Sequence, residues 1–344
     1  MKVDDRHGIG RHGLEVTAVG FGGAPFGNLF EPIPEKEAIG ALHIAHSAGI
    51  RYFDTAPLYG YGLSESRYGV GLSSFERDSF AISTKVGYTL VPKDADAPED
   101  EFFINAPKMT VEFDYSRDAI LRSIDNSLTR LRTDRIDLVY IHDPDEGVTI
   151  FQPGSDPYSV THFKEVMDEA YPALDELRAQ QVIRALGVGM NQWQMLADFA
   201  NAGDFDCFLL AGRYTLLEQE ALDELLPLCE ERDVRIVVGG PYNSGILVTG
   251  TTSSSYYNYH ATPPEILEKV RAIEAVCARH DVSLPAAALQ FPFGHPTVAT
   301  VIPGSRSPAE LESNISYFEQ EIPADFWAEL RGESCIHPDA PVPS

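Results

Sequence analysis

Four side chains of different chemistry, Asp54, Tyr59, Lys85 and His142, each stand at or shortly after a short apolar run. In Ile50 to Glu65, IRYFDTAPLYGYGLSE, the residues Ile50, Tyr52 and Phe53 lead to Asp54, and Pro57, Gly60 and Gly62 then break the backbone into a loop that carries Tyr59. Phe80 to Thr84 leads to Lys85, and Ile136 to Ile141 leads to His142. Singly, each is ordinary: a turn acid, a packed phenol, a solvated lysine, a turn histidine. Together they form an acid–base set. A free phenol has a pKa near 10 and is a poor base at neutral pH. One ammonium at about 4 Å, at an effective dielectric of about 20, contributes roughly 4 kcal/mol. Lys85 is therefore expected to bring Tyr59 toward neutrality, with Asp54 supplying the lysine's counter-charge. A neutral His142 would donate a hydrogen bond to a substrate oxygen, and Tyr59 would be the acid for carbonyl reduction and the base for alcohol oxidation.

Such groups must be positioned by strands that end together. Apolar runs near Thr17, Ile50, Phe80, Ile136, Val182, Cys207, Val234 and Val298 alternate with amphipathic stretches such as Glu35 to Ala48, Ser116 to Leu131 and Glu265 to Arg279. Eight strands alternating with helices over this length predict one (β/α)8 TIM barrel spanning residues 1–344, with strand-end residues meeting at the C-terminal face. A doubly wound dinucleotide fold would need GxGxxG after the first strand, and Gly20, Gly22 and Gly23 do not provide it. The connections after helices are short. Those after strands are long: Gly87 to Asp114, rich in Pro and acids, reads as an irregular lid or insert, and Asp143 to Thr161 as another loop.

Composition narrows the function classes. A net charge of −26, from 26 basic and 52 acidic residues, argues against nucleic acid or an anionic membrane as partner. No run of eighteen apolar residues occurs, MKVDDRHGIG has no apolar core like that of a signal peptide, and Cys207, Cys229, Cys277 and Cys335 lack paired spacing. These features predict reduced thiols in a cytoplasmic protein acting on a small molecule. A metal-dependent barrel built on Asp54, His142, Asp143 and Asp145 is the rival from another class, but no paired-histidine spacing supports it and Lys85 would place a cation beside the metal.

Asp54, the Tyr five residues on in DTAPLYG, Lys85 and His142 resemble the set of the aldo-keto reductase superfamily, and the resemblance runs from about Leu14 to about Arg331. It implies a nicotinamide dinucleotide as cofactor. LGVGMNQW, Leu186 to Trp193, is similar to the family segment whose Asn, here Asn191, holds the carboxamide; one extra residue there leaves open whether Gly189 or Met190 is its neighbour. GGPYNSG, with Pro241, Tyr242 and Ser244, resembles the loop over the pyrophosphate, and VIPGSRSPAELESN, with Gly304, Ser305, Arg306 and Asn314, the segment at the adenosine end. Backbone around Gly23 could approach a flat ligand.

Departures from the pattern matter too. Many members carry a stacking aromatic where Gly239 stands and a Gln near Ala211; here Tyr214 or Tyr242 is left to cover the ring. NADP-binding relatives place cations where Gly304 and Glu310 stand, so NAD is expected over NADP, with Arg306 keeping dual use open. FGGAPFGNLF, HDPD, FLLAGRYTLLEQ and PYNSGIL resemble the branch of L-fucose and D-threo-aldose 1-dehydrogenases and pyridoxal 4-dehydrogenases. For that branch the implied reaction is oxidation of a hemiacetal carbon to a lactone. Pyridoxal oxidation, general aldehyde or ketone reduction and a redox-sensing regulatory barrel are the alternatives.

Overall fold

The structure, a computed structural model, describes residues 1–343 except 95, 97, 99 and 253–255. It opens with an antiparallel hairpin, β1 (Arg6–Ile9) and β2 (Leu14–Thr17). The chain continues through β3 (Phe21–Gly22), β4 (Tyr52–Asp54) and β5 (Ala81–Val86) into a second hairpin, β6 (Tyr88–Pro92) and β7 (Met109–Phe113). Then follow β8 (Leu138–His142), β9 (Ala185–Met190), β10 (Cys207–Ala211), β11 (Arg235–Gly239), the ribbon β12 (Tyr256–Tyr257) and β13 (His260–Ala261), and β14 (Val298–Ile302).

Eight of these strands lie in the order β3-β4-β5-β8-β9-β10-β11-β14, every neighbouring pair parallel. The two edges meet through parallel bridges Val19–Val301 and Gly22–Gly304, with Gly20 N–H donating to the Val301 carbonyl at 2.9 Å. The sheet is thus a (β/α)8 barrel. Its strands are buried on both faces, which explains their near-continuous apolar runs. The β1–β2 hairpin packs Ile9, Leu14 and Val16 with barrel residues Tyr52, Leu138, Tyr140 and Cys207, in a cluster separate from the larger core.

Helices cover the outside for reasons visible in their sequences. Arg117–Leu131 buries Ile120, Ile124 and Leu131, is capped by the Ser116 hydroxyl, and ends where Arg132 turns to φ 53°. Pro308–Glu319 is capped by Ser307, with Pro308 at its first position.

Several expectations shift. Leu14–Thr17 belongs to the hairpin, because Arg6–Ile9 pairs with it across a turn; the first barrel strand is Phe21–Gly22. The fifth barrel strand begins at Ala185 rather than Val182, since the Val182 N–H closes the preceding helix on the Leu177 carbonyl and its side chain is exposed. Lys85 lies within β5, one residue before its end. Gly87 to Asp114 is not irregular throughout: Tyr88 pairs with Phe113 and Pro92 with Met109, while residues 95, 97 and 99 lie outside the described residues. Helix Leu284–Gln290 has no motif in the sequence because all seven residues are buried, so no polar face alternates with an apolar one.

Candidate active site

Period-two geometry along the strands builds the floor of the site. Tyr52 and Asp54 on β4, Ser83 and Lys85 on β5, and Tyr140 and His142 on β8 are i, i+2 pairs, each on one face of its strand. Asp54 and Lys85 are each 1% exposed, and the ammonium donates to Asp54 Oδ2 at 2.8 Å and to the Thr55 carbonyl at 2.9 Å. Asp54 Oδ1 accepts from the Ser83 hydroxyl at 2.7 Å. Ser83 is in turn 2.9 Å from the Tyr52 hydroxyl, which is 3.0 Å from that of Tyr140. The carboxylate is therefore held at both oxygens.

Tyr59 reaches this pair from its loop. Lys85 Nζ lies 4.7 Å from the centroid of the Tyr59 ring, and the Tyr59 and His142 rings meet edge to face at 6.0 Å. The loop is set by Gly60, at φ 63°, whose absent Cβ would fall 2.5 Å from Gly27 Cα; the two loops can cross only as glycines. His142 also stacks on Tyr88 of β6 at 4.8 Å, so the hairpin after β5 is part of the site.

Burial pushes the His142 imidazole well below its usual pKa, and Lys85 adds to the effect, which favours the neutral ring. Tyr59 departs from expectation. Burial raises its pKa well above the usual value, with Asp54, Tyr259 and Asp143 acting in the same direction. Lys85 is itself paired with Asp54 at 2.8 Å, and burial is the dominant influence on the phenol. Tyr59 is a protonated donor here.

The residues expected to hold a dinucleotide gather along the ends of β9, β11 and β14. Asn191, after β9, donates to the Ala211 carbonyl at 2.8 Å. Pro241, Tyr242 and Ser244 follow β11, and the Tyr242 hydroxyl donates to Asn314 Oδ1 at 2.6 Å. Asn314 donates to Ser305 Oγ at 3.0 Å, which ties the two loops together beside Gly304. Arg306 is clamped by Glu310, at 2.8 Å from Nε to Oε1, and by Glu31. Gly23 has a packing reason for its identity, since a Cβ there would lie 2.6 Å from the Asp54 carbonyl. Tyr214 is fully buried against Phe291 and is not available to stack on a ligand, whereas Tyr242 is half-buried.

Some participants carried no motif. Ser83 and Tyr52 support Asp54, and only their two-residue offset from Lys85 and Asp54 signalled it. Gln192 is 3% exposed with neither amide atom partnered, and Asn243 Oδ1 is likewise buried and unpartnered. These orphaned groups beside Asn191 and Tyr242 fit a polar ligand. Among the described residues, no group of three or more His, Cys, Asp or Glu could hold a metal ion. Nor is any described helix long and apolar enough to cross a membrane.

The aldo/keto reductase family profile matches residues 18–333. The chain is 40% identical to D-threo-aldose 1-dehydrogenase of a Pseudomonas species, over 92% of this chain and 94% of that one. It is 38% identical to pyridoxal 4-dehydrogenase of Microbacterium luteolum, over 98% and 99% of the two chains. Among solved structures, glycerol dehydrogenase from Gluconobacter oxydans superposes with a TM-score of 0.75 at 21% identity, covering 100% of this chain and 98% of that one, a likeness of fold.

Proposed function

The chain belongs to the aldo/keto reductase family and is an oxidoreductase, and from that premise we propose that it oxidises an aldose at C1 to the lactone, using NAD in preference to NADP. The observation that carries this reading is the convergence of Tyr59, the Lys85–Asp54 pair and a neutral His142 at one mouth. The 40% identity to an aldose 1-dehydrogenase supports the substrate class.

His142 donates to the carbinol oxygen and holds it near Tyr59. The Tyr59 phenol gives its proton to the carbonyl oxygen in reduction, and its phenolate takes the carbinol proton in oxidation. Lys85 aligns the phenol while Asp54 and Ser83 hold the lysine. A bound nicotinamide dinucleotide supplies the hydride acceptor. Asn191 and Gln192 would hold its carboxamide, the Pro241–Ser244 loop its pyrophosphate, and Gly304, Ser305, Arg306 and Asn314 its adenosine end. The preference for NAD rests on Arg306: Glu310 and Glu31 already engage its guanidinium, so a 2′-phosphate would have to displace carboxylates to reach it. Four free, buried cysteines suit the reducing cytoplasm.

A second reading, oxidation of pyridoxal, is favoured by the 38% identical relative and by the aromatic rim, where Phe30 lies 6.1 Å from Tyr259 and 5.9 Å from Phe102. The deciding experiment follows reduced-nucleotide absorbance with L-fucose, arabinose, galactose and pyridoxal, each with NAD and NADP. Aldose oxidation with NAD is the expected result; turnover of pyridoxal alone would transfer the assignment to the second reading.

A further inference from the structure

His142 and Tyr59 account for the reacting oxygen but leave the next residue, Asp143, without a task. Its backbone is at φ 34°, a region a non-glycine residue seldom occupies. Three hydrogen bonds hold it there. The Asp143 N–H donates to the Gly189 carbonyl at 2.9 Å, and the Tyr115 hydroxyl donates to the carbonyls of His142 and Asp143 at 2.8 and 3.0 Å. The turn brings the side chain back beside the catalytic imidazole, with Oδ2 at 3.6 Å from His142 Nε2.

That separation is too long for a direct hydrogen bond. His142 Nδ1 is buried without a partner, so nothing holds a proton on that nitrogen, and the Nε2–H tautomer, facing Asp143, is favoured. An oxygen accepting from Nε2 therefore lies beside the carboxyl. Tyr88, stacked on His142 at 4.8 Å, lies beside the same carboxyl, whose oxygens keep lone pairs for a ligand. Burial and the neighbouring Asp145 make the carboxylate costly to keep charged, against the favourable pull of Lys85 and Tyr88, so an additional donor is favourable there.

Tyr259 faces the same space. Burial raises the Tyr259 pKa, with Asp143 acting in the same direction, and both it and Asn258 are held at positive φ, 63° and 50°. The Tyr259 N–H donates to Ser244 Oγ at 3.1 Å, which fastens this wall to the loop after β11.

We propose that Asp143 is a specificity-determining residue: its carboxyl accepts a hydrogen bond from the substrate hydroxyl on the carbon next to the reacting one. With the reacting oxygen on His142 Nε2, that neighbouring hydroxyl comes within reach of Oδ2. The site thereby selects neutral, vicinally hydroxylated substrates over simple alcohols and aldehydes and disfavours an anionic group at the same place. This deepens the aldose reading and rests on it.

The test pairs a substrate change with a residue change. The specificity constant kcat/KM is measured for the best aldose and for its 2-deoxy counterpart, with wild type, Asp143→Ala and the near-isosteric Asp143→Asn. Removing one partner of a buried hydrogen bond corresponds to about 10- to 100-fold in this constant. The expected result is a loss of that size for the parent aldose in Asp143→Ala, mostly in KM, a smaller loss in Asp143→Asn, and less than about 3-fold change for the 2-deoxy sugar in either variant. Equal losses for the two sugars in both variants would overturn the assignment, because a merely structural role does not distinguish them. Wild-type enzyme that turns over no aldose would instead overturn the substrate reading, and is seen before any variant is made.

Discussion

On the side of the mouth formed by β4, β5 and β8, polar groups sit on strands and are matched to one another; on the side formed by the loops after β9, β11 and β14, several are buried and unmatched. Lys85, Asp54, Ser83, Tyr52 and Tyr140 form a continuous chain with no contact longer than 3.0 Å between successive members. Across the mouth, the Gln192 amide and Asn243 Oδ1 have no partner, and Asn243 and Ser244 are consecutive non-glycine residues at φ 46° and 59°. Apart from His142 Nδ1, the strand-borne groups of the first side satisfy one another and position a proton donor. The second is strained and underbonded, as expected of backbone and amides whose partner is a ligand.

The comparison breaks most sharply at Tyr59. Replacing it with Phe is expected to lower kcat by about 10²- to 10⁴-fold, the range of general acid–base catalysis, while nucleotide affinity changes less than about 2-fold. Steady-state rates and a fluorescence titration of NADH check both halves; unchanged turnover would remove Tyr59 from the chemistry.

Lys85→Met comes next, because it leaves Asp54 buried without its counter-charge, a change that costs about 3–5 kcal/mol in buried pairs. Urea unfolding is expected to show the loss, and the double variant Asp54→Asn, Lys85→Met to recover much of the stability without recovering activity. Parallel recovery of both would mean that the pair is structural only.

On the loop side, Glu310→Arg is expected to shift the ratio of NADP to NAD efficiency by about 10-fold toward NADP, by removing one of the two carboxylates on Arg306 and adding a cation. An unchanged ratio would place the adenosine end elsewhere. Ser83→Ala removes one hydrogen bond of about 1 kcal/mol from Asp54 and is expected to reduce kcat about 5-fold with little change in KM.

Titration sharpens the same contrast. The Tyr59 phenol is held protonated by its raised pKa, so oxidation is expected to accelerate as pH rises and more phenolate forms, while reduction is fastest where the phenol is intact. The lowered pKa of His142 keeps it neutral as pH falls through the usual histidine range, so no loss there is expected from its protonation. A decline in the reductive rate between pH 7 and 6, measured by initial rates and abolished in His142→Asn, would contradict this.

Much of the β4–β5–β8 side was legible in the chain. Asp54, Lys85 and His142 each close an apolar run, and in a parallel barrel such runs end on one face, so their meeting followed from periodicity. The β1–β2 hairpin was not legible, because LEVTAVGFGG reads as one strand whether its first half pairs with the barrel or with Arg6–Ile9. Helix Leu284–Gln290 escaped because complete burial removes the amphipathic period.

What the sequence by itself determined is the order of alternating elements, the barrel they imply, and the identity of the acid, phenol, ammonium and imidazole at its open end. These follow from local periodicity and side-chain chemistry. Only the tertiary structure decided that burial raises the proton affinity of Tyr59, that Tyr242 ties to Asn314, and that Asp143 turns back beside His142. Those outcomes depend on ångström-scale distances between segments remote in sequence and on the burial that sets each group's proton affinity.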